Sequence, residues 1–503
     1  MNLPLKLAEQ SKLFPDKEAL IYNNKRFTYG ELDASVKKLA DGLSKMGILP
    51  GDRVLLALEN CPEFVISYYA ILSAQGIVVP VNPQYTMNEL SVIMANALPE
   101  AVITTGQVMP LFNSISAEVP LDKGIITIGA VEHTGALPFE KVLGSGSPGY
   151  TPGRPARDEM AVLMYTAGST GSPKGAMLSH YNLYSNALAF AQCCRMTPAD
   201  RSLLIAPAYH AAAQTCVMNS TLVSGATMFI HEGWNGPERL LKSLQKDKIT
   251  FYFGPPTMYT LLVEHPEAEK YDLRSWRYAL TGAAPTPPDL FKKFEEKFGL
   301  KLMEGYGLTE TSPVTTLMPL GGTFKTGSIG LPIPGVEIRI VDYEDREVPV
   351  NQIGEIIVRG PNVMKGYYNR PEETNWAMRN GWFHTGDLAY VDSDGYLFIV
   401  DRKKDLIIRG GLNIYPKEIE EVLYSHPSVF DAAVIGVPDP IMGEEVLAFV
   451  LLREGATVTP EEIREFCSKK LARYKIPKHI RFVENLPKTT SGKLLKKELQ
   501  KMI

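Results

Sequence analysis

The chain lacks any apolar run near the roughly 18 residues that a membrane-crossing helix needs, so no membrane span is expected. It also lacks charge of one dominant sign. Lys and Arg number 52 against 56 Asp and Glu, a net charge of −4. That removes the electrostatic reason to expect nucleic acid as a partner. Cysteine is scarce and odd in number. Cys61, Cys193, Cys194, Cys216 and Cys467 have no metal-type spacing, so they read as reduced thiols of a cytoplasmic protein, not as a disulfide frame. The opening Met1-Asn2-Leu3-Pro4-Leu5-Lys6 lacks the charged-then-apolar order of a secretory leader, and Lys501-Met502-Ile503 is not a peroxisomal address. No internal repeat or low-complexity tract is present. The composition is that of a soluble globular protein, and 503 residues are too many for one ordinary core, so two or more domains are expected.

Up to about residue 160 the pattern alternates between helix and strand. Leu7 to Phe14, Tyr29 to Met46 and Pro62 to Gln75 predict helices. Val54 to Leu58 and Gly76 to Val81 predict buried strands. Strand, helix, strand in short order argues a parallel sheet with crossovers. Ser145 to Arg157, rich in Gly, Pro and Ser, predicts a surface loop. The alternation continues with strands at Ser202 to Ala206, Thr227 to Ile230 and Tyr278 to Thr281, and helices at Pro237 to Lys246 and Pro288 to Phe298. Each of these helices starts at proline, whose missing N–H costs nothing there. Val336 to Val341 and Ile353 to Val358 predict a small β unit. Five consecutive charges, Asp401-Arg402-Lys403-Lys404-Asp405, argue against a strand interior and predict a solvated connector or hinge. About a hundred residues follow, with helices at Pro416 to Ser425 and Pro460 to Leu471 and strands at Asp431 to Gly436 and Glu445 to Leu452, enough for a small α+β domain. The expected fold is therefore α/β. It has a large N-terminal domain (1–400) of stacked α/β sheets plus a small β unit, a hinge (401–405) and a mobile α+β C-terminal domain (406–503).

The densest chemistry lies in Tyr165-Thr166-Ala167-Gly168-Ser169-Thr170-Gly171-Ser172-Pro173-Lys174-Gly175, between the apolar stretches Met160 to Met164 and Ala176 to Leu178. Glycines let backbone N–H groups approach an anion, and hydroxyls with a lysine complete a cradle. The plainer alternative is a Gly/Ser turn between two strands. The stretch is not the common P-loop. Counting from Gly168, Pro173 stands where that motif needs Gly, and Gly175 where it needs Ser or Thr.

Further candidates are weaker alone. In Gly305-Tyr306-Gly307-Leu308-Thr309-Glu310, Tyr306 suits stacking on a base, Thr309 a phosphate contact and Glu310 magnesium (Mg2+), which takes one or two carboxylates beside substrate phosphates. Asp387, in Thr385-Gly386-Asp387, suits the hydroxyls of a ribose, or forms an Asx turn. His210 follows a strand end, where ligands collect in open α/β sheets, and Ala211-Ala212-Ala213 leaves room for an apolar ligand; a structural histidine is the alternative. Lys493 stands on a Gly turn within a basic end, where eleven Lys and Arg face two Glu from Lys469 onward. That end reads either as a solvated face or as a surface for anions such as phosphates or lipid headgroups.

Taken together and in this order, these motifs resemble the adenylate-forming superfamily of acyl-CoA synthetases, adenylation domains and beetle luciferases, closest to fatty or aromatic acyl-CoA ligases. The resemblance runs from Phe27-Thr28-Tyr29-Gly30-Glu31-Leu32 to Pro487-Lys488-Thr489-Thr490-Ser491-Gly492-Lys493. It implies an AMP-forming ligase. A carboxylate would attack the α-phosphate of ATP to give an acyl-adenylate and pyrophosphate, and coenzyme A would then take the acyl group and release AMP.

The resemblance also implies roles. Thr166, Gly168, Ser169, Thr170, Gly171 and Lys174 would hold the phosphates. Thr309 would meet the α-phosphate, and Glu310 would hold Mg2+. Gly282, Ala283, Ala284 and Tyr306 would line the adenine, while Asp387 and Arg402 hold the ribose. Lys493 would bridge carboxylate and α-phosphate, and His210 would sit between acyl group and nucleotide. Lys404 would be the hinge residue, and Gly410 and Gly411 would line the pantetheine tunnel of coenzyme A. Ala167 departs from the pattern, since many members carry Ser or Thr there. Tyr209 to Gln214, Trp234, Phe253 to Pro256, Gly305 and Pro313 would form the acyl pocket, with Trp234 as a cap or a core residue. An apolar fatty, aryl or alicyclic acid is expected. An amino-acid-activating domain is disfavoured, because Pro207-Ala208-Tyr209-His210 carries no acid to pair an amine. Partners would be small molecules, with no nucleic acid, peripheral membrane contact through the basic end as one reading, and a monomer or homodimer as the assembly.

Overall fold

A computed structural model describes residues 1–129, 135–166, 173–488 and 494–503. Gly168, Ser169, Thr170 and Gly171 of the glycine-rich loop, with Ala167, lie outside the described residues, and so does Lys493.

Two large sheets form the N-terminal part. One has, edge to edge, Ala136–Pro138, Gly124–Ile128, Ala101–Thr105, Arg53–Ala57, Ile77–Pro80, Met160–Thr166 and Lys174–Ser179. Its pairs are parallel except the last, which is an antiparallel hairpin. The other runs Leu331–Pro332, Val314–Leu317, Leu302–Gly307, Tyr278–Thr281, Phe251–Gly254, Arg201–Leu204, Thr227–Ile230, Glu18–Tyr22 and Lys25–Thr28. Parallel strands need crossovers, and the intervening helices supply them. Helix Tyr29–Lys45 starts on a capping box, with Thr28 and Glu31 satisfying each other's backbone N–H groups. Helix Pro62–Ser73 is buried on nearly every side. It ties the sheets together, Tyr68 donating to Gln214 at 3.0 Å and Tyr69 to Asn219 at 3.0 Å. A continuous apolar core runs through this region.

A four-stranded antiparallel sheet follows: Glu337–Val341, Gly354–Arg359, Phe383–Val391 and Leu397–Arg402. The last strand takes in the first two residues of the expected connector 401–405, at the strand's end. Asp401 and Arg402 pair in the ladder with Leu388 and Asp387, and only Lys403–Asp405 leaves it, as a 3-10 turn. Asp401 is buried because its carboxylate accepts from the backbone N–H of Arg402 at 2.7 Å and of Lys417 at 2.8 Å.

Beyond it, Ile407–Arg409, Leu412–Ile414, Val429–Asp439, Gly443–Leu452 and His479–Phe482 make a separate five-stranded sheet. Helices Pro416–Tyr424 and Pro460–Ser468 cover it over their own core. Among the described residues, six of the eleven basic residues of this end are ion-paired within the fold. Lys469 pairs with Glu465, Lys475 with Glu418, Lys478 with Asp439, Lys488 with Asp431, Lys496 with Glu420 and Lys501 with Glu498. Among the described residues, no helix is long and apolar enough to cross a membrane.

Candidate active site

Strand Leu302–Gly307 ends at the C-terminal edge of its sheet and delivers Tyr306, Thr309 and Glu310 in sequence. Only glycine fits at 307, because a Cβ there would lie 1.7 Å from the Pro313 carbonyl oxygen. Tyr306 donates its hydroxyl to Asp387 Oδ2 at 2.6 Å. The other oxygen of Asp387, Oδ1, faces Arg402 Nε at 3.2 Å. Three expected nucleotide contacts therefore meet in one constellation. Asp387 is buried, and its carboxylate reaches outward to these partners while its backbone N–H donates to Thr385 Oγ1 at 3.1 Å. The Asx-turn alternative is thereby set aside.

Glu355 holds this turn from behind, accepting from Gly386 N–H at 3.0 Å and pairing with Lys403 Nζ at 3.0 Å. Burial opposes its ionisation, yet His384 and Lys403 keep its carboxyl down at about 2. Arg402 and Lys403 are thus each held by a carboxylate, Asp387 and Glu355 respectively. Lys404, the expected hinge residue, is exposed in the 3-10 turn just beyond them.

At the other end of the site, Thr166 and Lys174 sit opposite each other where the strands Met160–Thr166 and Lys174–Ser179 open into the glycine-rich loop. Lys174 Nζ lies 5.1 Å from the centre of the Tyr367 ring, and Tyr367 donates its hydroxyl to Glu310 Oε1 at 2.9 Å. Tyr367 was not among the sequence-derived candidates. The Gly366-Tyr367-Tyr368 step is the signal that resembles Gly305-Tyr306 and was available to find it. Among the described residues, no group of three or more His, Cys, Asp or Glu could hold a metal by itself. One carboxylate with a free Oε2 fits Mg2+ when phosphates and water supply the other ligands.

Beside Tyr306 lies an apolar cavity of about 60 Å³. Gly282, Ala283 and Tyr306 from the expected adenine wall line it together with Ala212, Phe253, Gly305 and Pro313 from the expected acyl wall. Phe190, Cys216, Leu280, Val314 and Leu317 complete its apolar side. Ala283 is held at φ +66°, strain of a kind that concentrates at ligand sites. Trp234 does not line this cavity; it is half-buried and packs against the core cluster that contains Leu203 and Phe229. A wider groove of about 470 Å³ beside Phe291 and Phe324 contains none of these residues.

His210 directly precedes the short helix Ala211–Ala213, its ring 4.9 Å from that of Tyr209. Burial pushes its imidazole down to about 4, so it is neutral at pH 7. Glu304, one residue before the motif, was also missed. Burial raises its carboxyl to about 7, against the pull of Lys417 and the hydrogen bond that Thr286 donates at 2.8 Å.

Gly410 and Gly411 form the exposed turn between Ile407–Arg409 and Leu412–Ile414, at φ +57° and +80°. Those left-handed values require glycine-like freedom. A Cβ on Gly411 would meet nothing within 4 Å, so the backbone, not crowding, explains that glycine in this arrangement.

Comparison with known proteins agrees with this geometry. The model of the AMP-binding enzyme family matches residues 7–368, and that of the AMP-binding enzyme C-terminal domain matches residues 418–493. A long-chain-fatty-acid–CoA ligase of Bacillus subtilis (strain 168) is 39% identical, over 98% of this chain and 93% of its own. A feruloyl-CoA synthase of Amycolatopsis sp is 38% identical, over 98% and 97%. Among solved structures, ATP-bound MatB from Rhodopseudomonas palustris superposes with a TM-score of 0.92 at 34% identity, covering 100% of this chain and 99% of that one. Matched over residues 7–368 and 418–493 by the two family models and nearly end to end by relatives, and folded as the solved structure is, the chain belongs to the AMP-binding enzyme family.

Proposed function

We propose that the protein is an AMP-forming acyl-CoA ligase for an apolar carboxylic acid, a medium- or long-chain fatty acid or an aryl or alicyclic acid. The observation that carries this reading is the Tyr306–Asp387–Arg402 constellation at the edge of an apolar cavity. A buried carboxylate between a phenol and a guanidinium suits a ribose. The apolar lining of the cavity beside it matches the chemistry of an acyl group without charge, and among the described residues it carries no Lys or Arg for a second carboxylate. Relatives that act on a fatty acid and on a feruloyl group fit the same range.

In this reading Asp387 and Arg402 orient the nucleotide, and Gly282, Ala283, Ala284 and Tyr306 flank its base. Thr166, Lys174 and the loop residues Gly168, Ser169, Thr170 and Gly171 receive the β- and γ-phosphates. Thr309 and Lys493 meet the α-phosphate as the substrate carboxylate attacks in line. Bringing two anions together is the barrier, and cations aimed at the developing charge lower it. Mg2+ at Glu310 would add charge neutralisation at the phosphates. Neutral His210 borders the acyl side without adding charge. Residues 406–503 then turn about the end of the 401–405 stretch, from Lys404 onward, so that Gly410 and Gly411 meet the pantetheine arm of coenzyme A for thioester formation, a hinged rigid-body motion.

A panel of fatty, aryl and amino acids scored for coenzyme A-dependent AMP release tests this. Release with apolar acids and none with amino acids is expected. AMP release that never depends on coenzyme A with any acid would refute the ligase reading.

A further inference from the structure

Tyr367 occupies a place that none of the expected roles covers. Its backbone is sewn to the strand that carries Lys174. It bridges Ala176, its N–H donates to Thr374 Oγ1 at 2.9 Å, and the flanking bonds run from Met177 N–H to the Gly366 carbonyl at 2.9 Å and from Tyr368 N–H to the Gly175 carbonyl at 2.8 Å. Three residues earlier, Met364 N–H donates to the Glu310 carbonyl at 2.8 Å. One short segment, 364–368, therefore ties the strand beginning at Lys174 to the turn that carries Glu310. Those elements are far apart in sequence and belong to different sheets.

The side chain makes the same connection at the level of chemistry. The hydroxyl gives its hydrogen to Glu310 Oε1, and the ring face lies within cation–π range of Lys174 Nζ. A phenol bonded to one carboxylate oxygen fixes the rotation of that carboxylate and leaves Oε2 for a cation. A ring face under an ammonium holds it near the site without a counter-ion that phosphate would have to displace. An acid in the same place would neutralise Lys174 and compete for the metal; a tyrosine does neither.

We propose that Tyr367 is a positioning residue for the phosphate end of the site, orienting Glu310 toward the metal through its hydroxyl and holding Lys174 toward phosphate through its ring. The proposal rests on the ligase reading and on Glu310 as the metal carboxylate. Partners one shell out from a metal ligand commonly change metal affinity by about ten- to a hundred-fold when removed.

Two variants separate the functions. Tyr367→Phe keeps volume and ring and removes only the hydroxyl. Tyr367→Leu removes both. ATP binding is measured by calorimetry on the full-length protein, in EDTA and across a Mg2+ titration, with Glu310→Gln beside it. For Tyr367→Phe the expected result is ATP binding in EDTA unchanged and a half-saturating Mg2+ concentration raised about ten-fold or more. Tyr367→Leu is expected to weaken ATP binding in EDTA as well. A general loosening of the fold would lower the metal-free affinity of Tyr367→Phe too, and that result overturns the proposal. A Mg2+ profile of Tyr367→Phe equal to the wild type while Glu310→Gln shifts it overturns the proposal alone. A profile unmoved by Glu310→Gln removes the metal assignment on which both rest, whereas absence of any ATP binding by the wild type removes the ligase reading itself.

Discussion

Replacing Asp387 by asparagine tests the nucleotide constellation most directly. The carboxylate is buried, accepts from Tyr306 at 2.6 Å and faces Arg402 at 3.2 Å. Asparagine keeps the shape and one acceptor oxygen but places an amide where the negative charge stood. Hydrogen bonds to a charged group contribute about 1.5–3 kcal/mol, roughly twice the neutral kind. Removing the charge from two ribose contacts should therefore cost about 2–3 kcal/mol of ATP binding. At 1.36 kcal/mol per ten-fold, that is a loss of about 30- to 150-fold. Arg402 also loses its counter-charge, but its side chain is 32% exposed, so solvent screens much of that loss and only a modest fall in stability follows. Calorimetric titration with ATP reads the affinity without knowledge of the acid substrate, and thermal unfolding reads the fold. Asp394→Asn, at an exposed pair with Lys325, is the control and should change neither. A folded Asp387→Asn protein that binds ATP within two-fold of the wild type would refute the assignment of Asp387 to the ribose.

Glu304 makes a prediction about pH. Its carboxyl titrates at about 7 when folded and near 4.5 when unfolded, so its contribution is full below 4.5 and is lost as pH rises through 7. Glu304→Gln should raise the melting temperature at pH 8 and leave it nearly unchanged at pH 4.5; an equal effect at both would contradict a raised carboxyl. Lys404→Pro addresses the hinge. Arg402 and Lys403 are pinned by Asp387 and Glu355, so the bend should begin at Lys404, and proline fixes φ there. ATP–pyrophosphate exchange should survive while thioester formation falls at least ten-fold, and a variant with both half-reactions intact would move the hinge elsewhere.

Much of the secondary structure was legible locally. Strands Thr227–Ile230 and Tyr278–Thr281 and helices Pro237–Lys246 and Pro288–Phe298 fall where hydrophobic period and proline position put them. Those signals act within a few residues, so a single sequence carries them. Within the charged stretch 401–405, Asp401 is buried where a solvated connector is expected, for the same reason. Charge count is a local property, whereas Asp401 is satisfied by the backbone of Lys417, sixteen residues away.

The sequence by itself determined the alternation of helices and strands, the glycine turns and the order of motifs that carries the family resemblance. Through that resemblance it pointed to Tyr306, Asp387 and Arg402 as candidates for the nucleotide. Only the tertiary structure decided that Tyr306 touches Asp387 across 81 residues, that Tyr367 stands between Lys174 and Glu310, and that Trp234 packs against the core cluster around Leu203. It also decided that the basic end is answered by carboxylates such as Glu418, Glu420, Asp431 and Asp439. The physical reason is range. Turn and helix preferences are fixed by neighbouring backbone, while ion pairing, burial and the pKa values they set depend on which distant segments the sheets bring together.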